Sequence, residues 1–172
     1  MTLKQLKKNS TTLCDACVVI FLSKIDYLKY LKGIYKNIKL LNCVVDELNK
    51  YSKNLNEKSI IYNFISSVEL VDYNKKNLSS AALSSTDNKM LTYAIENPLV
   101  TILTDDNIIR KISLVENISA LGTLGIFLQL IKQNIISKNK ALRDLNTLID
   151  KHKFRISIRV YNRFLSQLNI IT

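Results

Sequence analysis

The sequence predicts an α/β fold: a three-layer α/β/α domain with a central, mostly parallel sheet of four to five strands. Three observations carry this reading. Short β-branched or apolar runs alternate with longer helical patterns along the chain, and such alternation favours parallel strands joined by crossover helices. The run Leu99 to Thr104 holds only aliphatic residues and threonine, as strands buried on both faces do. Only three Gly and one Pro interrupt 172 residues, so long loops are few.

The elements follow in order. Thr11 to Cys14 is the first strand, Val18 to Leu22 supplies the first helical turns, and Tyr27 to Leu31 is a second short helix. Ile38 to Leu41 is a strand, and Asn42 is a good N-cap for a helix through Tyr51. Glu57 to Ser66 is helical and Val68 to Val71 is a short strand. Asn74 to Ser85 is a serine-rich loop, after which Ser85 or Thr86 caps a helix from Asp87 to Glu96. Pro98 blocks its continuation. Leu99 to Thr104 is the next strand, and Asp105 opens a helix to about Val115. Ile118 to Leu121 is a strand, Gly122 turns the chain, and Thr123 caps a helix to about Gln133. Ser137 caps another through Asp150, and Ser157 to Leu168 is a last amphipathic stretch.

The length suits one domain with a sizeable core, a core over about 11–136 and a basic helical extension over about 137–172. Hydrophobic residues make up 47% of the chain, which excludes a disordered one. The longest uncharged apolar run, Ile118 to Ile131, falls short of the roughly 20 residues a spanning helix needs. The basic start, Met1 to Ser10, lacks a signal-peptide core. A cytoplasmic protein is expected, with no membrane partner. Three Cys without a disulfide-framework spacing agree.

The formal net charge of +11 points to a polyanionic partner. Between Lys132 and Arg163 nine Lys/Arg face two acids. Lys151, Lys153 and Arg155 lie in this run as candidate nucleic-acid contacts, since cations that neutralise phosphates supply affinity without reading sequence. Tyr161 and Phe154 could stack on bases, although Phe154 and Phe164 fit a core better. His152, the sole His, sits between two Lys and reads as a surface residue.

Against this background, Asp15, Glu47, Asp87, Asp105 and Asp106 all fall where strands end and helices begin. Each alone is also explained as a helix cap or a first-turn acid. Together they are expected at one rim of one sheet, where open parallel sheets bind ligands. Carboxylates gathered there repel one another unless a cation lies between them. An all-oxygen set suits Mg²⁺ or Mn²⁺, and such a metal supports hydrolysis of phosphodiesters. Asp15-Ala16-Cys17 lacks the second acid of an Asp-x-Asp phosphatase motif, and no Walker loop or Gly-x-Gly-x-x-Gly is present. Gly122-Thr-Leu-Gly125 precedes an apolar helix and matches a KH-type loop only superficially. Cys14 and Cys17 form a CxxC, but Cys43 and His152 are distant partners for a zinc site.

Six stretches, in order, carry a family resemblance: Leu13-Cys-Asp-Ala-Cys-Val-Val-Ile20, Asn42-Cys-Val-Val-Asp-Glu-Leu48, Thr86-Asp-Asn-Lys-Met-Leu-Thr-Tyr-Ala94, Ile102-Leu-Thr-Asp-Asp-Asn-Ile-Ile-Arg110, Gly122-Thr-Leu-Gly-Ile126 and Phe154-Arg-Ile-Ser157. The chain resembles the PIN-domain ribonuclease superfamily of VapC-like toxins, in a PIN-like branch with a Gly-Thr-Leu-Gly helix and a basic tail. That resemblance implies a Mg²⁺- or Mn²⁺-dependent endoribonuclease whose carboxylates are Asp15, Glu47, Asp87 and Asp106, with Asp105 beside them. It implies supporting roles for Thr104 and Arg110. It also implies RNA as substrate, a homodimer, and a small antitoxin protein as partner. A catalytically weak nucleic-acid-binding or interaction module is the alternative. Two departures stand out. Ala16 and Cys17 replace the usual Thr-Ser or Thr-Asn, removing hydroxyls expected to orient Asp15 or a water. Thr86-Asp87 replaces Gly-Glu, so the third carboxylate reaches a metal through water.

Overall fold

A computed structural model describes residues 11–51, 55–78 and 82–171. The basic start and Ser79 and Ser80 of the serine-rich loop lie outside the described residues. Five strands form one sheet: β1 (Thr11–Cys14), β2 (Asn37–Leu41), β3 (Glu69–Val71), β4 (Val100–Leu103) and β5 (Ser119–Leu121). Their order is β3-β2-β1-β4-β5, and every pair is parallel. β1 lies in the centre, in register Thr11 to Asn37 on one side and Cys14 to Leu103 on the other. Its residues Leu13 and Cys14 are fully buried, as a strand covered on both faces requires.

Nine helices are described: α1 (Ala16–Lys24), α2 (Leu28–Ile34), α3 (Asn42–Tyr51), α4 (Leu55–Ile65), α5 (Ser85–Glu96), α6 (Asn107–Val115), α7 (Thr123–Lys132), α8 (Lys138–His152) and α9 (Ile158–Ile170). They flank the sheet in two groups. α1 packs on α2, α3, α4, α7 and α8, and α7 also carries α9. α5 packs on β4 and on α6, which rests against β5.

Among the boundaries that differ from the sequence-based expectation, four have a clear local reason. Ser84, not Ser85 or Thr86, caps α5. Its hydroxyl accepts the amide of Asp87 at 3.1 Å, and the Asp87 carboxylate accepts the amide of Ser84 at 3.1 Å. A capping box needs its acid three residues past the cap, which selects Ser84. Leu99 takes left-handed backbone, φ 72°, so it belongs to the turn and β4 begins at Val100. α6 is capped by Asp106 rather than Asp105. Thr123 is the first residue of α7, and its hydroxyl donates to Asp105 instead of capping.

The C-terminal helices join the same apolar core. Ser137 and Ser157 cap α8 and α9 through the amides of Lys140 and Val160. The Tyr27 hydroxyl donates to Asp144 of α8 at 2.5 Å. Phe154 and Phe164 are buried, as core residues. Phe154 meets Phe21 edge-on at 4.8 Å, and Phe164 meets Phe127 at 6.5 Å. Both rings are therefore committed to packing rather than to stacking on bases. No described helix is long and apolar enough to cross a membrane.

Candidate active site

The site begins where β1 ends. The Asp15 amide continues the ladder to Leu103 of β4 at 2.9 Å, then Asp15 turns into α1 in extended backbone. In the order β3-β2-β1-β4-β5 the direction of winding reverses between β1 and β4. The carboxyl ends of those two strands are thus the switch point at which open α/β sheets bind ligands. Asp15 follows β1, and Thr104, Asp105 and Asp106 follow β4.

Asp15 is 7% exposed and does not use its side chain to cap α1. Its Oδ2 accepts the Thr104 hydroxyl at 2.7 Å and the Cys17 thiol at 2.9 Å. Burial pushes its carboxyl above the ordinary carboxylate range, the two side-chain hydrogen bonds oppose this, and the charge of Asp87 adds to the rise. Asp87, half-buried on α5, is therefore near enough for the two carboxylates to repel. Thr104 is fully buried and ties the site together. Its amide donates to Leu121 of β5 at 2.9 Å, and its hydroxyl oxygen accepts the amide of Asp106 at 3.1 Å.

The other predicted acids divide into two groups. Asp106 is exposed, and its Oδ1 accepts the amides of Ile108 and Ile109 at 2.6 and 2.9 Å. Glu47 on α3 accepts the hydroxyl of buried Thr86 at 2.5 Å. That bond ties α3 to α5 one residue before Asp87. Asp105 is turned elsewhere. Its two oxygens accept the amide and hydroxyl of Thr123 at 2.8 and 2.6 Å, so it anchors the first turn of α7. Burial raises its carboxyl, while the Thr123 bonds and nearby Arg110 oppose the rise.

Asp105 is engaged by Thr123 through both of its oxygens, each of which keeps a further lone pair. No group of three or more His, Cys, Asp or Glu among the described residues is placed to hold a metal ion. Asp15 and Asp87 are the pair whose charges interact, with Asp106 alongside through Thr104. One or two carboxylates with several retained waters are what Mg²⁺ ordinarily takes. The hard oxygen donors of this pair fit such an ion.

The departure at Cys17 is also reinterpreted. Its thiol donates to Asp15 and its sulfur accepts the Asp105 amide at 3.3 Å, so it orients Asp15 as a hydroxyl would. Burial and the adjacent Asp15 charge push this thiol well up, so it stays protonated and able to donate. Cys14 is free and fully buried, which leaves no accessible redox pair. Cys17, Thr86 and Thr123 are the positioning residues that sequence reasoning missed. The signal for each was its place one to three residues from a candidate acid or at a helix start. His152 is half-buried near Lys24, away from the acids, and burial lowers its pKa.

In the basic tail, Lys151, Lys153 and Arg155 are all exposed. Arg155 lines a cavity that also touches Asp105 and Arg110, whereas Lys151 and Lys153 do not reach it.

A parallel α/β sheet with a buried acid at its switch point, and further acids on the neighbouring helices, defines an open α/β domain with an acidic candidate ligand site. A family model described as PIN domain matches residues 11–170, and the chain belongs to the PIN-domain family. Among solved structures it is similar to that of the PIN domain endonuclease Utp24 at 16% identity and a TM-score of 0.50, covering 69% of this chain and 88% of that one. At that identity the likeness concerns the fold. Comparison with curated proteins returns no match.

Proposed function

We propose that the protein is a Mg²⁺- or Mn²⁺-dependent endoribonuclease that acts in the cytoplasm as the toxin of a toxin–antitoxin pair. PIN domains are in general nucleases, and a PIN-domain relative of this fold is described as an endonuclease. The observation that carries the reading is Asp15. A buried carboxylate at the switch point, held by Thr104 and Cys17 and facing the charge of Asp87, is a place prepared for a cation. A divalent ion bound there would supply Lewis acidity and an activated water for phosphodiester hydrolysis. Asp15 and Asp87 would hold it. Thr104 fixes the orientation of the Asp15 carboxylate and brings Asp106 alongside through its amide. Glu47, held by Thr86, supplies further negative charge from α3. The toxin role, the small antitoxin partner and the homodimer rest on the VapC-like resemblance.

The test is cleavage of single-stranded RNA by the purified protein. Cutting should need Mg²⁺ or Mn²⁺ and stop on chelation. Asp15→Asn and Asp106→Asn should each reduce it by about 100-fold or more, the scale of losing one electrostatic group at a reacting centre. Undiminished cleavage by both folded variants would place the activity elsewhere. A second reading, a catalytically weak nucleic-acid-binding module, is favoured by the lack of a three-donor group among the described residues. Mn²⁺ binding that is absent in the parent protein, with RNA binding intact, would select it.

A further inference from the structure

A cavity of about 520 Å³ lies beside the acidic rim, between α6, α7, α9 and the segment joining α8 to α9. It is not part of the carboxylate site, but Asp105 and Asn107, on either side of Asp106 in the chain, belong to its wall, so it lies beside that site. Its size falls within the roughly 300–1,000 Å³ of ordinary ligand sites.

Four cations line it: Arg110, Lys132, Arg155 and Arg163. They come from α6, the end of α7, the α8–α9 segment and α9, so only the tertiary fold assembles them. All four are exposed, and none enters an ion pair among the described residues. The one carboxylate in the wall, Asp105, is already bonded to Thr123. Leu124, Leu128 and Val160 contribute apolar surface to the same wall. Arg110 faces the Asp105 charge, and the three other cations, beside apolar side chains, call for a ligand that alternates negative charge with flat apolar surface.

We propose that this cavity seats the RNA strand next to the scissile bond, with Lys132, Arg155 and Arg163 on phosphates and one base against its apolar side chains. The inference rests on the ribonuclease reading and names where that substrate lies. An acidic peptide would satisfy the cations equally. The wall also presents the carboxamides of Asn107 and Gln167, each both donor and acceptor. A carboxylate peptide side chain uses only donors, whereas a base edge uses both. The cavity's place beside Asp106, between Asp105 and Asn107, likewise favours the strand being cut.

The experiment measures binding of a short labelled single-stranded RNA to the full chain by fluorescence anisotropy, in EDTA, over a salt series. The parent should show a steep negative slope of log K against log[salt]. Arg155→Ala/Arg163→Ala should weaken binding at least about tenfold. It should also flatten the slope by about 1.4, since each phosphate neutralised on a single strand accounts for about 0.7. Arg155→Lys/Arg163→Lys should restore most of the slope, which a folding defect would not allow. Lys32→Ala/Lys58→Ala removes the same charge from α2 and α4 and should leave affinity and slope near the parent's. Parental affinity and slope in the arginine-to-alanine variant would overturn the proposal. So would a glutamate-rich peptide that needs the same arginines while RNA does not. Arginine-dependent RNA binding without cleavage in any divalent metal would support the cavity and remove the ribonuclease reading. Cleavage that is indifferent to the arginines would do the reverse.

Discussion

The Thr104 hydroxyl donates to Asp15 Oδ2 at 2.7 Å, joining residues 89 positions apart at the ends of adjacent parallel strands. The same oxygen accepts the Asp106 amide at 3.1 Å. One buried hydroxyl therefore ties the Asp15 carboxylate to the backbone of Asp106. It can do so because β1 and β4 are in register, Cys14 to Leu103, which brings the residues after both strands to the same level.

Thr104→Val keeps the shape and removes this bridge. Bonds to charged groups contribute about 1.5–3 kcal/mol when buried. We expect a loss of that order in urea unfolding and a fall in RNA cleavage. Thr104→Ser keeps the oxygen and should retain most of both. Equal behaviour of the Val and Ser variants would mean that the hydroxyl does not hold the site.

Cys17 offers a parallel test on the other bond to the same oxygen. Cys17→Ala removes the donor 2.9 Å from Asp15. Groups that orient a metal-binding carboxylate typically matter about 10–100-fold in activity or metal affinity. We expect a loss of that size in Mn²⁺ affinity, and recovery in Cys17→Ser. Mn²⁺ titration of the Ala variant indistinguishable from the parent would assign the thiol to packing alone.

Asp15 should also make stability depend on pH. Its folded carboxyl is raised, first by burial, above the unfolded value of about 3.9. At pH between the two values the folded state binds more protons than the unfolded one, so stability falls as pH rises. The contribution is complete below about pH 4 and is lost as pH passes through the folded value. Asp15→Asn carries no such charge. In chelator at neutral pH it should be more stable by about 0.5–2 kcal/mol, the usual scale for relieving a functional group held at a cost. The gap should close toward pH 4. Melting curves in which the parent gains on the variant as pH rises would contradict the assignment.

Gly122 marks the tightest approach in the site. A Cβ there would stand 2.6 Å from Asp105 Oδ1, 3.3 Å from Arg110 Nη1 and 3.4 Å from the Thr104 carbonyl. Its backbone is extended, φ −93°, so space rather than conformation demands glycine. Asp105 cannot yield freely, because Thr123 holds both its oxygens. Gly122→Ala should cost about 1–3 kcal/mol, as overpacking does, and loosen the first turn of α7. Unfolding in denaturant at the parent's midpoint would show that the latch gives way cheaply.

Much of the fold was legible along the chain. Within the run Leu99 to Thr104, Val100 to Leu103 form the buried strand, and the polar residues Ser137 and Ser157 marked helix starts that the structure keeps. Local signals suffice there because caps and periodicity act within a few residues. The acids at strand ends were legible for the same reason. Their division of labour was not. Asp105 and Asp106 are neighbours of identical chemistry, yet one latches onto Thr123 of α7 and the other caps α6. Ser84 rather than Thr86 caps α5, which frees Thr86 to hold Glu47.

By itself the sequence determined the parallel α/β class, the place of Asp15, Asp105 and Asp106 at strand ends and an excess of positive charge. Those properties reside in local spacing and composition. Only the tertiary structure decided which carboxylate is buried, that a thiol replaces the missing hydroxyl at Asp15, and which basic residues share one cavity. Arg110, Lys132, Arg155 and Arg163 lie on separate elements, and no periodicity along the chain relates them. Packing α7 and α9 together brings them to one wall, because the apolar faces of those helices, with Phe127 and Phe164 between them, must be buried before their charges can be neighbours.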